Sequence, residues 1–199
     1  MPVGIGKGFA TSAAISLASA LSKYSNYHSA IAKAHNAEVV LKTGLGDVMA
    51  IAYGKGIALR VKGGGPGWGK VYSIIESDKF KKVSVIALEF KGSWKDTPSM
   101  LSSIKSYFPF PPLWRRLLTN PSLETFLNVA NAFSKTLGMY PEEFSFIESL
   151  KGVLGTYAKK SVYLTVVKNI HIRAVLDKLR KEGLDPQIFT ISENGIGGL

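Results

Sequence analysis

The chain contains no cysteine, which excludes disulfide cross-links, thiolate metal sites and a cysteine nucleophile. Histidine is scarce too, with three residues and no close cluster of ligands, and this argues against a structural zinc site. Acidic residues are few: 14 Asp and Glu stand against 25 Lys and Arg, for a formal net charge of +11. Such an imbalance favours anionic partners: nucleotides, carboxylates, nucleic acid or acidic membrane. The basic residues are scattered, however, with short pairs at Lys81-Lys82, Arg115-Arg116 and Lys159-Lys160 and no long tract. No RNA-binding aromatic signature or zinc-finger spacing accompanies them, so nucleic acid is not an expected partner. No apolar run of about 20 residues escapes interruption, so neither a spanning helix nor a membrane partner is expected. The stretch Lys7–Ser22 is broken by Thr11, Ser12, Ser16 and Ser19 and lacks a basic cluster ahead of it, which makes a poor signal peptide. The expected compartment is the cytoplasm.

What is present is enough for a folded core. Of 199 residues, 46% are hydrophobic, a content typical of globular domains. Residues 11–24 read as a helix of small residues and 28–42 as a second helix, stopped at Thr43-Gly44. "GIALRV", "KVYSII" and "KVSVIALEF" read as strands. "KGGGPGWG" (62–69) is a loop, because five glycines and a proline hold neither helix nor central strand; its Trp68 is expected to pack. Composition shifts near Gly92, and residues 92–121 carry five prolines with short helical pieces between them. Helices are expected at 122–138, 141–151 and 170–182, and strands at 161–168 and 187–192. The pattern is α+β, with a seam near 92–100 dividing an N-terminal part (1–91) from a C-terminal α/β part (92–199).

Two constellations suggest chemistry. In "GIGKGFATSAA" (4–14) a glycine-rich turn runs into a helix. Backbone N–H groups can approach an anion closely there, and the helix terminus adds partial positive charge. The stretch is not a Walker A loop, since no Gly-Lys-Ser/Thr closes it, and its glycine spacing is not that of a dinucleotide fold. A plain tight turn is the competing reading. In "AHNAEVVLKTGLGDV" (34–48), Glu38 lies on a helix and Asp47 follows a glycine turn. Two carboxylates and a phosphate loop are parts of a phosphoryl-transfer site: one can hold Mg²⁺, the other can orient or deprotonate a hydroxyl. A solvated helix position for Glu38 and a capping role for Asp47 are the alternatives.

At these residues the chain resembles the GHMP kinases. "GFATSAA" resembles that superfamily's second motif, and "AHNAEV…TGLGDV…YGKGIALRVKGGGPGWG" resembles, in order and spacing, its archaeal branch acting on the hydroxy acid pantoate. The likeness is specific over residues 4–69 and general beyond residue 70. It implies a two-lobed α+β fold, with a truncated ribosomal-S5-domain-2-like N-terminal lobe and a ferredoxin-like C-terminal lobe. It also implies ATP-dependent phosphorylation of a small hydroxy acid in coenzyme A synthesis, with ATP and Mg²⁺ required; homoserine- or mevalonate-like acceptors are the rivals. By the same resemblance Gly6, Gly8, Ala10, Thr11 and Ser12 would wrap the ATP phosphates, with Ser12 and Glu38 near Mg²⁺. Asp47 would be catalytic. Arg60, His35 and Thr43 would face the acceptor, Arg60 on charge logic and His35 as either a second-layer or a catalytic group.

The sequence also departs from the family. Ala10 stands where glycine is usual, and its methyl group is expected to crowd a phosphate or exclude a positive-φ backbone. Lys55 splits the glycine pair Gly54/Gly56, Gly4 stands where proline is frequent, and "SENGIGG" matches the third motif too loosely to carry a role. The family places several strands before the phosphate loop, whereas Met1 lies almost on it. Those strands are expected either upstream of an incorrectly assigned start or on a partner chain; a homodimer and a non-catalytic fragment are the other possibilities carried forward.

Overall fold

The computed structural model describes residues 4–43, 46–91 and 110–196. Three helices open the chain: α1 (Thr11–Lys23), α2 (Tyr27–Leu41) and α3 (Asp47–Tyr53). Alanine lets them approach closely, and Ala13, Leu17, Ala20, Ala30, Ile31, Ala34, Val48, Met49 and Ala52 form their shared core. The Asn26 side chain caps α2 by accepting a 2.9 Å bond from the Ser29 N–H. β1 (Ile57–Lys62) and β2 (Lys70–Ile74) follow as an antiparallel pair, with an irregularity in register between Arg60 and Lys62. The glycine-rich segment 62–69 joins them, as expected for a sequence that can hold neither helix nor strand.

A short helix, α4 (Ser77–Phe80), leads into β3 (Val83–Glu89). The remaining elements are α5 (Phe110–Thr119), α6 (Leu123–Thr136), a 3₁₀ segment Glu142–Ser149, β4 (Val153–Lys159), β5 (Val162–Lys168), α7 (Ile172–Lys181) and β6 (Gln187–Phe189). Four strands form one antiparallel sheet in the order β4-β5-β3-β6. β5 is buried from Val162 to Val167, because both of its faces are covered. On one face Tyr163 and Val167 join Val175, Leu176 and Leu179 of α7. On the other Val166 joins Leu123, Leu127 and Val129 of α6. The sheet thus takes β3 from residues 1–91 and its other strands from 92–199; the expected seam at 92–100 lies outside the described residues. Among the described residues no helix is long and apolar enough to cross a membrane.

Three elements differ from the sequence expectation. Where an α-helix is expected over 141–151, Glu142–Ser149 form a 3₁₀ segment, and Phe144 and Ile147, three residues apart, enter the core together. β4 was not among the strands expected from the sequence. Gly155 lets α6 lie close, since a Cβ there would sit 2.9 Å from that of Leu127. "VMAIAY" closes into α3, where Asp47 in the first turn favours a helix start.

A polar network ties α6, the 3₁₀ segment and β4 together. The Glu148 carboxylate accepts from Tyr140 Oη at 2.6 Å, Asn131 Nδ2 at 2.8 Å, Thr156 Oγ1 at 3.0 Å and Lys135 Nζ at 3.2 Å. Burial pushes its pKa upward, but the Tyr140, Asn131, Lys135 and Thr156 bonds outweigh it and hold the carboxyl at about 2. The folded value lies below the unfolded one, so its contribution is full above the ordinary carboxylate range and fades as pH falls toward about 2. Glu148→Gln is expected to lower Tm by roughly 3–6 °C at pH 7. The difference from wild type should shrink as thermal melts are taken from pH 5 down toward 2.

Candidate active site

The loop 4–10 winds through left-handed backbone. Gly6 and Gly8 have φ of +82° and +106°, and Ala10, just before α1, has φ +56° and ψ +22°. The expectation that alanine would exclude a positive φ there is therefore corrected: a single methyl group tolerates the αL basin at about 1–2 kcal/mol. Ala10 offers no side-chain cap to α1, so its side chain does not occupy the helix N-terminus. Thr11 is buried and Ser12 half-buried on the first turn.

The loop is fastened to the four-stranded sheet. Gly4 N–H donates to Glu89 Oε1 at 2.9 Å, and Lys7 Nζ lies 3.4 Å from Glu89 Oε2. The Lys7 carbonyl accepts from Ser161 N–H at 3.0 Å. The Phe9 ring packs on Phe189, 4.8 Å between centroids. Gly8 lies against the Lys159 carbonyl so closely that any side chain there would collide with it.

Glu38 and Asp47 come together at the start of α3. Glu38 is 2% exposed. Its Oε2 accepts from Val48 N–H at 3.1 Å, whereas Oε1 is buried with no hydrogen-bond partner among the described residues. Burial raises its pKa; the Val48 N–H opposes this, Asp47 adds to it, and Arg60 and Lys159 pull it back. Asp47, half-buried, faces Lys159 Nζ across 3.4 Å. The surface-helix reading of Glu38 is thereby removed.

Arg60 enters from β1 at the irregular register, a place where a bulge re-aims a side chain. Its Nε is buried without a partner among the described residues, and its guanidinium fills the space beside Gly46. His35 is 5% exposed, with Nδ1 buried and without a partner among the described residues. Burial first, and the Arg60 charge second, hold His35 below its ordinary pKa, so it is neutral at pH 7. Gly65 allows the loop to close over it, since a Cβ would lie 2.9 Å from His35 Cδ2. His35, Val39, Arg60, Val61, Gly63 and Gly64 line an open cleft of about 570 Å³.

The structure thus brings Glu38, Asp47, Arg60 and His35 into one neighbourhood and connects the loop bearing Gly6, Gly8, Ala10, Thr11 and Ser12 to it through Lys159. Thr43 is half-buried just beyond α2 and donates its N–H to the Glu38 carbonyl at 3.1 Å. Trp68 does not pack as expected; it is 77% exposed. Gly54 and Gly56 serve the α3–β1 turn: Gly54 N–H closes α3 on Ala50 O at 2.9 Å, and Gly56 has φ +61°. Sequence reasoning missed Lys159 as a site residue. Its signal was only a lysine pair, because the contact with Asp47 spans 112 positions and the hairpin carrying it was itself unexpected.

No family model matches the chain. Its structure is similar to a solved phosphotransferase related to the CoA biosynthesis pathway, with TM-score 0.78 and 25% identity, over 96% of this chain and 65% of that one. It is also similar in fold to the mevalonate kinase of Methanococcus jannaschii, with TM-score 0.66 and 16% identity, over 96% of this chain and 66% of that one. The chain therefore has the α+β fold of the GHMP kinases. Within that superfamily its sequence is related to the pantoate kinase of Methanocaldococcus jannaschii, at 33% identity over 160 residues. That match takes in 77% of this chain and 56% of the relative, so the chain spans little more than half the length of the curated protein it matches.

Proposed function

We propose that this chain transfers the γ-phosphoryl group of ATP to the hydroxyl of a small hydroxy acid, pantoate first among them. The observation that carries the reading is the convergence of two carboxylates, Glu38 and Asp47, with Arg60 and Lys159 beside an anion-binding loop. Amides of residues 6–12 and the α1 terminus hold the phosphates. The Asp47 carboxylate takes the proton of the acceptor hydroxyl as its oxygen bonds to γ-phosphorus and the bond to the ADP oxygen breaks. Arg60 holds the acceptor carboxylate at the cleft, the use for which a planar fork of donors suits. Neutral His35 and Thr43 shape the acceptor side.

The residues fit Mg²⁺. Glu38 Oε1 is a buried carboxylate oxygen with no partner among the described residues, a donor suited to a hard cation. Among the described residues no group of three or more His, Asp or Glu could hold a metal unaided. That agrees with an ion completed by phosphate and water, with Ser12 as a further oxygen ligand. Bound there, Mg²⁺ would neutralise charge on the phosphate oxygens.

The test is ADP formation by the purified chain with ATP and Mg²⁺ across pantoate, homoserine and mevalonate. Pantoate is expected to give a kcat/KM at least about tenfold above the others; all three carry a carboxylate for Arg60, so the difference rests on how the rest of each skeleton fits the cleft, about 1–3 kcal/mol per misfitted methylene. A higher value with another acceptor would move the specificity; no acceptor-dependent ADP would remove the reading.

A further inference from the structure

Resting on that reading, we infer that Lys159 is a positioning residue, which fixes the Asp47 carboxylate relative to the phosphate loop. The turn 159–161 between β4 and β5 touches both halves of the site. On one side the Lys159 carbonyl abuts Gly8, and the next residue but one, Ser161, donates its N–H to Lys7 O at 3.0 Å. On the other the Lys159 ammonium pairs with Asp47 Oδ1 at 3.4 Å. The turn is also tied to the end of β3, because Phe90 N–H donates to Ser161 O at 3.0 Å. Its middle residue, Lys160, is 6% exposed and holds a left-handed φ of +58°. A non-glycine residue stays in that basin when its surroundings over-determine it.

The groups around Asp47 explain why it needs an anchor. Arg60 and Lys159 are the cations that act on neighbouring Glu38, and Arg60 already faces His35 and Gly46 across the cleft. Lys159 alone of these cations pairs with Asp47 among the described residues. As an ion pair with half-exposed partners it adds little to stability, about 0–1 kcal/mol. Its effect falls instead on geometry: a base misplaced by about 1 Å can lose about 10²-fold in rate.

The experiment compares wild type, Lys159→Met and Lys159→Arg by steady-state kinetics with pantoate and by thermal melts. Lys159→Met is expected to lower kcat about 30–100-fold, with KM for pantoate within about threefold and Tm within about 3 °C. Lys159→Arg, which keeps a cation on a stem of similar reach, should recover kcat to within about tenfold of wild type. Wild-type kcat in Lys159→Met, or an equal loss in both variants together with a large fall in Tm, overturns the inference while leaving the kinase reading intact. A wild-type chain that makes no acceptor-dependent ADP overturns the kinase reading itself, and this inference with it.

Discussion

Asp47→Asn is expected to reduce pantoate-dependent ADP formation by about 10²–10⁴-fold, the range a positioned base supplies. Asparagine keeps the size of the side chain and cannot accept the hydroxyl proton as a carboxylate does. Asp47 is half-buried, sits in the first turn of α3 and makes an ion pair that contributes little to folding. The variant should therefore melt within a few degrees of wild type. It should also still be stabilised by Mg-ATP, because the loop amides and Glu38 are untouched. Retained turnover would place the base elsewhere. A collapse of Tm would make Asp47 a structural residue.

Glu38→Gln is expected to move stability and activity in opposite directions. Burial, with Asp47 adding to it, holds the Glu38 carboxyl above its ordinary value against the Val48 N–H, Arg60 and Lys159. The folded state thus binds this proton more tightly than the unfolded one. Its favourable contribution is complete below the ordinary carboxylate range and is lost as pH rises through the raised folded value. Once ionised, the wild-type carboxyl is a buried charge with one oxygen lacking a partner among the described residues, and glutamine removes that charge while still accepting from Val48 N–H. Melts should show a higher Tm for the variant at pH 8 and no gain at pH 4. Activity should fall by about 10²-fold or more, because the carboxylate proposed to hold Mg²⁺ is gone. The rise in Tm that Mg²⁺ adds to ATP in the wild type should disappear with it. A variant that is destabilised at pH 8 and keeps its Mg²⁺ response would contradict both halves.

Much of this site is legible from a short sequence window. Local chemistry is written locally: Gly6 and Gly8 announce a glycine-rich loop, which takes positive φ, and the glycines of 62–69 announce a loop, which lies against His35. The sequence places Glu38 on a helix and Asp47 after a glycine turn, and the Val48 N–H bond to Glu38 joins the start of α3 to α2. What could not be read depends on contacts distant in sequence. β4 is a strand because α6 needs Gly155 beneath Leu127, and Lys159 joins the site because β4 pairs with β5. The 3₁₀ segment at Glu142–Ser149 buries Phe144 and Ile147, a three-residue spacing that an α-helix would share, so the pattern alone does not separate the two. Ala10 shows the reverse error. A residue-type rule forbade a conformation that the packing of the loop on Glu89 and Ser161 stabilises.

The most direct test of the phosphoryl-transfer account is ³¹P NMR of the purified wild-type chain with ATP, Mg²⁺ and pantoate, run beside Asp47→Asn. The account predicts that the γ-phosphate signal declines as a phosphomonoester signal grows in step with ADP, and that neither change occurs with the variant. A γ-phosphate that persists, or that passes only to inorganic phosphate whether or not pantoate is present, would contradict it.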